Sequence, residues 1–434
     1  MSLILRRLEE RGSSDPIRVG LVGAGFAGRG FALRVLTGVP WIRLVAVANR
    51  TIAEAERAYR DAGVTDVVRV STAAALRAAM DAGRAAVTDD PTLLTEADGI
   101  EAIVEATGEV EFGARVALGA IAGGKHVILV NAELDSTLGP ELKARADAAG
   151  VVLTDMAGDQ PGALMDLVDE VRVLGFRPIL AGNIKSLLDH YRTPETQKAF
   201  AEAVFQRPKM ITSFADGTKI SAEMAVVANA TGFGVVTRGM LGPRATRVEE
   251  APQLFDVDAL LERPIVDYIL GAEPSFGVFV LGWDEQPLVR RYMKVYKMGE
   301  GPVYTFYRPF HVGPLETQVT VARAVLFRDA MVTPAGAPVC DVVAVAKRDL
   351  RAGDMLDGIG GFCAYGDIEN SSTAQAANHL PMGLTDGCVM TRDVSRDAVL
   401  TFDDVQLPDG SVALQLWREQ LARFATASPA HASR

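Results

Sequence analysis

The chain is poor in cysteine and has no long apolar run. Its three cysteines, Cys340, Cys363 and Cys388, form no C-x-x-C pair and are odd in number, so neither a disulfide framework nor a zinc knuckle is expected. No segment reaches the roughly 18 consecutive apolar residues of a membrane-spanning helix. The first residues lack the apolar core and the cleavage site of a signal peptide. We therefore expect a cytoplasmic protein without a membrane partner.

Basic residues are also in deficit. The 434 residues include 44 Lys and Arg against 55 Asp and Glu, which gives a formal net charge of −11. This balance argues against nucleic acid or anionic lipid as a partner, although a local basic pocket for a phosphate group stays open. With 49% hydrophobic and 23% charged residues, the chain has the composition of a globular protein that is long enough for two or three domains.

The first third of the chain alternates strands with helices. An apolar strand at 17–22 is followed by a helix with one apolar face and a second strand at 42–50, and further strands are indicated at 87–90, 101–108, 125–133 and 151–159. Such alternation predicts a parallel sheet with right-handed crossovers. We therefore expect an α/β fold, a Rossmann doubly wound parallel sheet, over residues 1–157.

The remainder of the chain has a different pattern. Residues 158–331 combine amphipathic helices with isolated strands, including a helix capped by Thr193 and a hairpin centred on Asp216-Gly217. We expect an α+β substrate and dimerisation domain there, with 318–327 returning either to it or to the first domain. Beyond a linker at 332–340 with two prolines, short apolar runs separated by turns predict a small β-rich domain over 338–434.

Three glycines stand between the first strand and its helix. Gly23, Gly25 and Gly28 have the spacing G-x-G-x-x-G, in which the first permits a tight turn, the second lets the backbone approach a pyrophosphate, and the third lets helix and strand pack closely. The start of the helix, with Phe26 and Ala27, supplies free N–H groups. Because the required strand and helix flank the motif, we predict a dinucleotide site. A glycine-rich turn in a flavodoxin-like fold without a cofactor is the alternative.

The end of the second strand bears on the choice of dinucleotide. Asn49 and Arg50 stand where NAD-binding folds have an acidic residue for the ribose. Because Arg50 can pair with a 2′-phosphate and stack on adenine, NADP is favoured and NAD remains open; a solvated surface arginine is the other interpretation. Two later loops, Ala106-Thr107-Gly108 and the one that begins at Asn131, should face the nicotinamide half of the cofactor.

Seven stretches, in chain order, resemble the homoserine-dehydrogenase-like oxidoreductases that carry a C-terminal SAF domain: VGLVGAGFAGRG, EAIVEATG, GKHVILVNAELDSTLGP, AGDQPGALMDLV, DGTKISAEMAVVANATG, GPRA and KMGEGPVYTFYRPFH. The same stretches also resemble the bacterial DXR-like enzymes, which reduce and isomerise 1-deoxy-D-xylulose 5-phosphate with NADPH. The segments VAVAKRDLRAGDMLDGIG and RDVSRDAVLTFDDV look like the SAF domain. The resemblance implies an NAD(P)-dependent oxidoreductase and, with the base rate of two-fold assemblies, a homo-oligomer.

Hydride transfer to a carbonyl needs a proton donor and a group that polarises the oxygen. Lys185, placed in a polar loop after a strand, is the predicted donor, because a partly desolvated lysine can titrate low enough to give up a proton; a solvated lysine is the alternative. Asp159 either orients the substrate or Lys185, or caps a helix. Glu133 is the third catalytic candidate. Together with Asp135 and Glu223 it could hold a divalent metal, but the spacing is not diagnostic and no metal is predicted.

Polar residues of the second domain are predicted to bind the substrate, and Arg244 could clamp a phosphate or a carboxylate bidentately. We expect an NADP-dependent oxidoreductase acting on a small polar carbonyl or hydroxyl compound, with a phosphorylated sugar and DXR-like reductoisomerisation as the most concrete form. A dehydrogenase of an amino-alcohol such as homoserine, and a non-catalytic protein that binds a cofactor and a polyol, are the alternatives. The predicted substrate-binding residues are Lys219, Glu223, Asn229 and Arg244.

Overall fold

The computed structural model describes residues 3–425; Met1, Ser2 and residues 426–434 of the expected β-rich domain lie outside the described residues. The strands are β1 (Ile17–Val22), β2 (Ile42–Ala48), β3 (Val67–Arg69), β4 (Ala85–Thr88), β5 (Ala102–Glu105), β6 (His126–Leu129), β7 (Leu153–Asp155), β8 (Arg177–Lys185), β9 (Ile265–Leu270), β10 (Gly277–Trp283), β11 (Val303–Arg308), β12 (Cys340–Ala346), β13 (Ala364–Asn370), β14 (Val389–Met390) and β15 (Val405–Gln406).

The α-helices are α1 (Leu3–Arg11), α2 (Phe26–Gly38), α3 (Ile52–Arg60), α4 (Ala73–Asp81), α5 (Thr92–Glu96), α6 (Val110–Ala122), α7 (Ala132–Ala148), α8 (Gln160–Val173), α9 (Pro194–Ala203), α10 (Pro208–Asp216), α11 (Thr218–Thr231), α12 (Val257–Glu262), α13 (Pro287–Val295), α14 (Thr317–Phe327), α15 (Ser371–Ala376) and α16 (Val412–Phe424). None of the helices in the described part of the chain combines the length and the apolar character needed to cross a membrane.

Backbone contacts divide the chain into two compact units. Among the described residues, the first comprises those up to Asp159 together with Val312–Thr333 and Ser411–Arg423, and the second comprises Gln160–His311 and Pro334–Gly410. The segment that was expected as a separate β-rich domain is therefore divided: its part up to Gly410 belongs to the second unit, and most of α16 belongs to the first. Helix α14, whose membership the sequence left open, belongs to the first unit.

The first unit is built on a seven-stranded sheet with the order β3-β4-β2-β1-β5-β6-β7, in which all strand pairs are parallel. This confirms the predicted doubly wound α/β fold. The strands read as continuous apolar runs because helices cover both faces of such a sheet. Val22 pairs with Ala48 on one side and with Glu105 on the other, and Glu105 pairs with Leu129. The loops that follow these strands therefore begin in one row at the carboxyl edge of the sheet.

The second unit contains a mixed four-stranded sheet with the order β11-β10-β8-β9. Strands β8 and β9 are parallel, and β10 is antiparallel to both β8 and β11. Alternate side chains on one face form an apolar cluster that includes Ile184 of β8, Ile269 of β9 and Phe279 of β10. Helix α8 packs against β8 and β10, and α11 packs against β12 and β13, which form a separate antiparallel ribbon.

Two local predictions have different outcomes in the second unit. Thr193 caps α9 as expected, since its side chain accepts the Thr196 N–H, and Pro194 begins the helix. The hairpin at Asp216-Gly217 is wrong. Gly217 has a φ of +96° and joins α10 directly to α11, while the Asp216 Oδ1 accepts the Thr218 N–H at 2.9 Å. An Asp-Gly pair fits this left-handed turn between helices as well as it fits a hairpin.

Candidate functional site

The glycine-rich loop of the first unit needs glycine at two positions for steric reasons. Gly23 has a φ of +101°, and a Cβ there would lie 2.5 Å from the carbonyl oxygen of Ala106. A Cβ at Gly28 would lie 2.1 Å from the carbonyl oxygen of Gly23. The turn and the close packing of helix α2 on strand β1 therefore depend on these two residues, as the motif predicts.

Gly25 differs from Gly23 and Gly28, the other two glycines of the motif, because a Cβ at Gly25 would meet no atom within 4 Å. It precedes the first residue of α2, and no side chain caps the helix at this position. The first N–H groups of α2 therefore open onto free space beside Gly25, next to the half-exposed Phe26 and to Ala27. Free N–H groups and the positive end of the helix dipole are the chemistry that binds a phosphate. The residues present thus fit the pyrophosphate of a dinucleotide.

Asn49 braces this loop with its side chain. Its Oδ1 accepts the Ala24 N–H at 3.0 Å, and its Nδ2 donates to the carbonyl oxygen of Thr51 at 2.9 Å. Asn49 is placed to hold the loop rather than to offer its amide to a ribose, which differs from the direct contact expected for it. Arg50, in contrast, is exposed, and its side chain makes no hydrogen bond or ion pair within residues 3–425. It is available for an anionic group.

A buried carboxylate orders the next two loops. Glu105, the last residue of β5, accepts from the backbone N–H of Thr107 at 2.9 Å, from the Thr107 hydroxyl, and from the Asn131 Nδ2 at 3.0 Å. Burial raises the pKa of Glu105, although these donors oppose the rise. Asn131 also caps α7, since its Oδ1 accepts the Leu134 N–H at 3.2 Å. Glu105 therefore holds the predicted cofactor residues Thr107 and Asn131 in place, a role that the sequence did not reveal. Gly108, the next residue after Thr107, has a φ of +71°.

Acidic side chains lie in the first turn of α7 and before α8. Glu133 and Asp135 are both buried, and Asp159 directly precedes Gln160 at the start of α8. Neither carboxylate oxygen of Asp135 has a hydrogen-bond partner within residues 3–425, and burial raises its pKa to about 7. Among the described residues, no three His, Cys, Asp or Glu side chains are grouped so that they could hold a metal ion.

Lys185 lies in the second unit as the last residue of β8, and not in a loop as expected. Pairing with β9 and β10 on either side extends the strand through the polar Gly182-Asn183 pair to Lys185. The Lys185 Nζ donates to the carbonyl oxygen of Phe214 at 2.7 Å. Burial lowers the pKa of Lys185, and the carboxylates of Glu223 and Asp216 partly oppose this shift. Lys185 therefore has the environment of a lysine that can exchange a proton.

The predicted substrate-binding residues are placed differently from one another. Lys219 and Glu223, one turn apart on α11, are both nearly buried, with 3.8 Å between the Nζ and the Oε1. Asn229 accepts the N–H groups of Val339 and Cys340 at 2.8 and 3.0 Å. Its side-chain oxygen therefore holds the chain at the start of β12, a structural use that departs from the expected substrate contact.

Arg244 lies in the same row of the sheet as Lys185. Its backbone forms a parallel bridge to Leu270, and Leu270 pairs with Lys185. The Arg244 side chain is exposed and makes no hydrogen bond or ion pair in the described part of the chain. Since adjacent strands lie about 4.8 Å apart, the two cationic residues stand roughly 10 Å apart along this row, measured between their backbones.

Two further residues of the second unit escaped the sequence reasoning. The Asp-Gly pair within ADGTK indicates a turn at Asp216, although the carboxylate of Asp216 itself is also compatible with a site. Lys347 directly follows the apolar run of β12. This position after a buried strand was the only indication in the sequence that Lys347 has a special environment.

Residues 158–317 match the family model described as oxidoreductase DRL, catalytic domain. This segment is less than half of the chain, and it includes Asp159, Lys185 and the four predicted substrate-binding residues. Among curated proteins, none matches the sequence. The family match supports the prediction that the chain is an oxidoreductase.

Solved structures of dehydrogenases and reductases are similar over part of the chain. Biliverdin reductase from Synechocystis sp. PCC 6803 is 19% identical, with 40% of this chain and 48% of that chain covered and a TM-score of 0.28. Myo-inositol dehydrogenase from Lactobacillus casei is 21% identical, with 42% of this chain and 49% of that chain covered and a TM-score of 0.30. A homoserine dehydrogenase from Thiobacillus denitrificans is 16% identical, with 78% of this chain and 83% of that chain covered and a TM-score of 0.44. The chain spans about half the length of the first two structures.

Proposed function

We propose that the protein is an NADP-dependent oxidoreductase that transfers a hydride to or from a small polar carbonyl or hydroxyl compound. The observation that carries the proposal is the uncapped start of α2 at Gly25, where free N–H groups open onto space in which an added Cβ would meet no protein atom within 4 Å. The match of residues 158–317 to an oxidoreductase catalytic domain supports the same class of reaction.

The first unit would hold the dinucleotide, which supplies or accepts the hydride when bound. The N–H groups at the start of α2 bind the pyrophosphate, and the exposed guanidinium of Arg50 pairs with the 2′-phosphate of NADP. NAD, which has no 2′-phosphate for Arg50 to pair with, is the alternative cofactor. Glu105 keeps Thr107 and Asn131 in the positions that the loops need beside the cofactor.

Lys185 is the proposed proton donor and acceptor. In the reduction, its ammonium group gives a proton to the developing alkoxide, and in the oxidation the neutral amine takes the proton back from the hydroxyl group. The Lys185 Nζ donates to the carbonyl oxygen of Phe214, and burial lowers the pKa of Lys185, which favours the release of its proton. Lys219 and Glu223 provide polar contacts to the substrate. The catalytic roles of Asp159 and Glu133 remain predictions.

The finer proposal is a DXR-like reductoisomerase that acts on a phosphorylated sugar in the cytoplasm, as a homo-oligomer. In this proposal, residues 338–434 form a SAF-like domain. The free guanidinium of Arg244, in one row with Lys185, favours a substrate with an anionic end. A homoserine-type dehydrogenase would share the same reductive half, and a non-catalytic binding protein would share only the cofactor site.

The test is the oxidation of NADPH by the purified full chain with a panel of ketose phosphates and aspartate semialdehyde. Turnover with a ketose phosphate supports the finer proposal, and turnover with aspartate semialdehyde alone moves the assignment to the homoserine type. Lys185→Met should reduce turnover at least 100-fold, within the range of general acid-base catalysis, with NADPH affinity unchanged. Lys198→Met, at an exposed lysine of α9, is the matched control. No turnover on any substrate, with NADPH still bound, would favour the non-catalytic protein.

A further inference from the structure

Lys347 is a buried lysine whose ammonium group has all its hydrogen-bond partners inside the second unit. The residue follows directly on β12, and its side chain is 2% exposed. Its Nζ donates to the Asp216 Oδ2 at 2.8 Å, to the carbonyl oxygen of Arg192 at 2.9 Å and to that of Gly361 at 2.8 Å. An ammonium group has three N–H donors, so every one of them is used.

These bonds converge on the end of α10. The Asp216 side chain is fully buried, and its Oδ1 accepts the Thr218 N–H at 2.9 Å. The backbone carbonyl of the same residue lies 2.8 Å from the His190 Nδ1. Two residues earlier, the carbonyl oxygen of Phe214 receives the Lys185 Nζ. The position of the Lys185 amine therefore depends on a helix end that Lys347 anchors.

We propose that Lys347 is a positioning residue for the proposed active site: by pairing with Asp216 it offsets part of the buried negative charge that faces Lys185, and it fixes the helix end that holds the Lys185 amine. This inference rests on the role proposed for Lys185. A residue of the segment that begins at residue 334 thus helps to set the protonation of Lys185, the last residue of β8.

The charges around Lys185 explain why the pairing matters. Asp216 stands at the end of α10, Glu223 and Lys219 lie on α11, and His190 lies on the loop after β8. The Asp216 and Glu223 carboxylates both favour the protonated form of Lys185. Glu223 has Lys219 within 3.8 Å, and Asp216 has Lys347. If Lys347 lost its charge, Asp216 would be a buried carboxylate without a counter-ion, and Lys185 would hold its proton to a higher pH.

Two substitutions break the same ion pair with opposite electrostatic consequences. Lys347→Met leaves the carboxylate unbalanced and should raise the pKa of Lys185 by about one unit or more, whereas Asp216→Asn leaves the ammonium group unbalanced and should lower it by a similar amount. The double variant Lys347→Met/Asp216→Asn removes both charges and should return close to the wild-type value. A purely structural role predicts the same effect from either single substitution.

The measurement uses the full chain without substrate. The rate at which acetic anhydride acylates the Lys185 amine is followed against pH by peptide mass spectrometry, with Lys198 as the exposed internal reference. Opposite shifts in the single variants and recovery in the double variant support the proposal. Shifts in the same direction, no shift in folded single variants, or a double variant that shifts as far as Lys347→Met overturn it.

If Lys347→Met does not fold, Lys347→Gln removes the charge while keeping hydrogen bonds, and it should shift Lys185 in the same direction as expected for methionine; an unshifted pKa would overturn the proposal. The readout is also independent of catalysis. Opposite shifts of the Lys185 pKa, together with a pH profile of turnover that stays unchanged, would uphold the role of Lys347 and reject Lys185 as the proton donor.

Discussion

Replacing Gly25 by alanine tests the cofactor site with the smallest possible change. The added methyl group meets no protein atom within 4 Å, and the backbone at Gly25, with φ −70° and ψ −167°, is open to any L-residue. Alanine caps a helix less well than glycine does, so the free energy of unfolding should fall by less than about 1 kcal/mol. The methyl group would instead occupy the space proposed for the pyrophosphate.

The binding cost follows from the contact that is lost. A hydrogen bond to a charged group contributes about 1.5–3 kcal/mol, so losing one N–H contact to the pyrophosphate should weaken NADPH binding by about 10- to 100-fold. Gly28→Ala is the matched comparison, because its Cβ would lie 2.1 Å from the carbonyl oxygen of Gly23. That overlap forces the backbone to move and should lower the free energy of unfolding by about 1–3 kcal/mol.

Urea unfolding gives the stability of both variants, and a fluorescence titration with NADPH gives the dissociation constant. The expected contrast is a stable Gly25→Ala protein that binds poorly and a Gly28→Ala protein that is destabilised before any ligand is added. A Gly25→Ala protein that binds NADPH with the wild-type constant would refute the proposed position of the pyrophosphate. A Gly28→Ala protein with unchanged stability would refute the packing argument.

Two other predictions concern the first unit. Arg50→Asp should weaken NADP binding at least 10-fold relative to NAD binding, since a 2′-phosphate would lose a cation and meet a carboxylate. Arg60→Asp, at an exposed arginine of α3, is the control. An unchanged ratio of the dissociation constants for NADP and NAD in calorimetric titrations of Arg50→Asp would contradict the assignment. The raised pKa of Asp135, about 7 in the folded chain against a usual value of 3.8, means that its contribution to stability is fully present below pH 3.8 and is lost as the pH rises through 7. The free energy of unfolding of Asp135→Asn, relative to that of the wild type, should therefore rise between pH 5 and pH 8 by an amount on the order of a few kcal/mol. Urea unfolding of both proteins at pH 5 and at pH 8 measures this difference. The same difference at both pH values would contradict the prediction.

The sequence alone was sufficient for the features that depend on local geometry. Alternating apolar strands and helices indicated the parallel sheet, because both periodicities are properties of short segments. The glycine spacing indicated the turn after β1, and the steric need at Gly23 and Gly28 confirms the reason. The cap of α9 at Thr193 was equally readable, since its partner Thr196 lies three residues away.

The tertiary structure decided what each polar side chain does, because the partners come from distant parts of the chain. Asn49 and Asn229 looked like ligand contacts and instead hold backbone N–H groups, at Ala24 and at Val339. Only packing brings the carbonyl oxygen of Phe214 to Lys185. A hydrogen-bond partner at a separation of tens or hundreds of residues leaves no periodic signal in the sequence.

The same reason applies to Asp216 and Lys347, which are 131 residues apart. The Asp-Gly pair predicted a hairpin because its left-handed turn suits both a hairpin and a helix junction. The lysine after β12 gave no sign of its partner. Folding buries both charges together, and the strong preference of a buried charge for a counter-ion then determines the environment of the lysine that we propose as the proton donor.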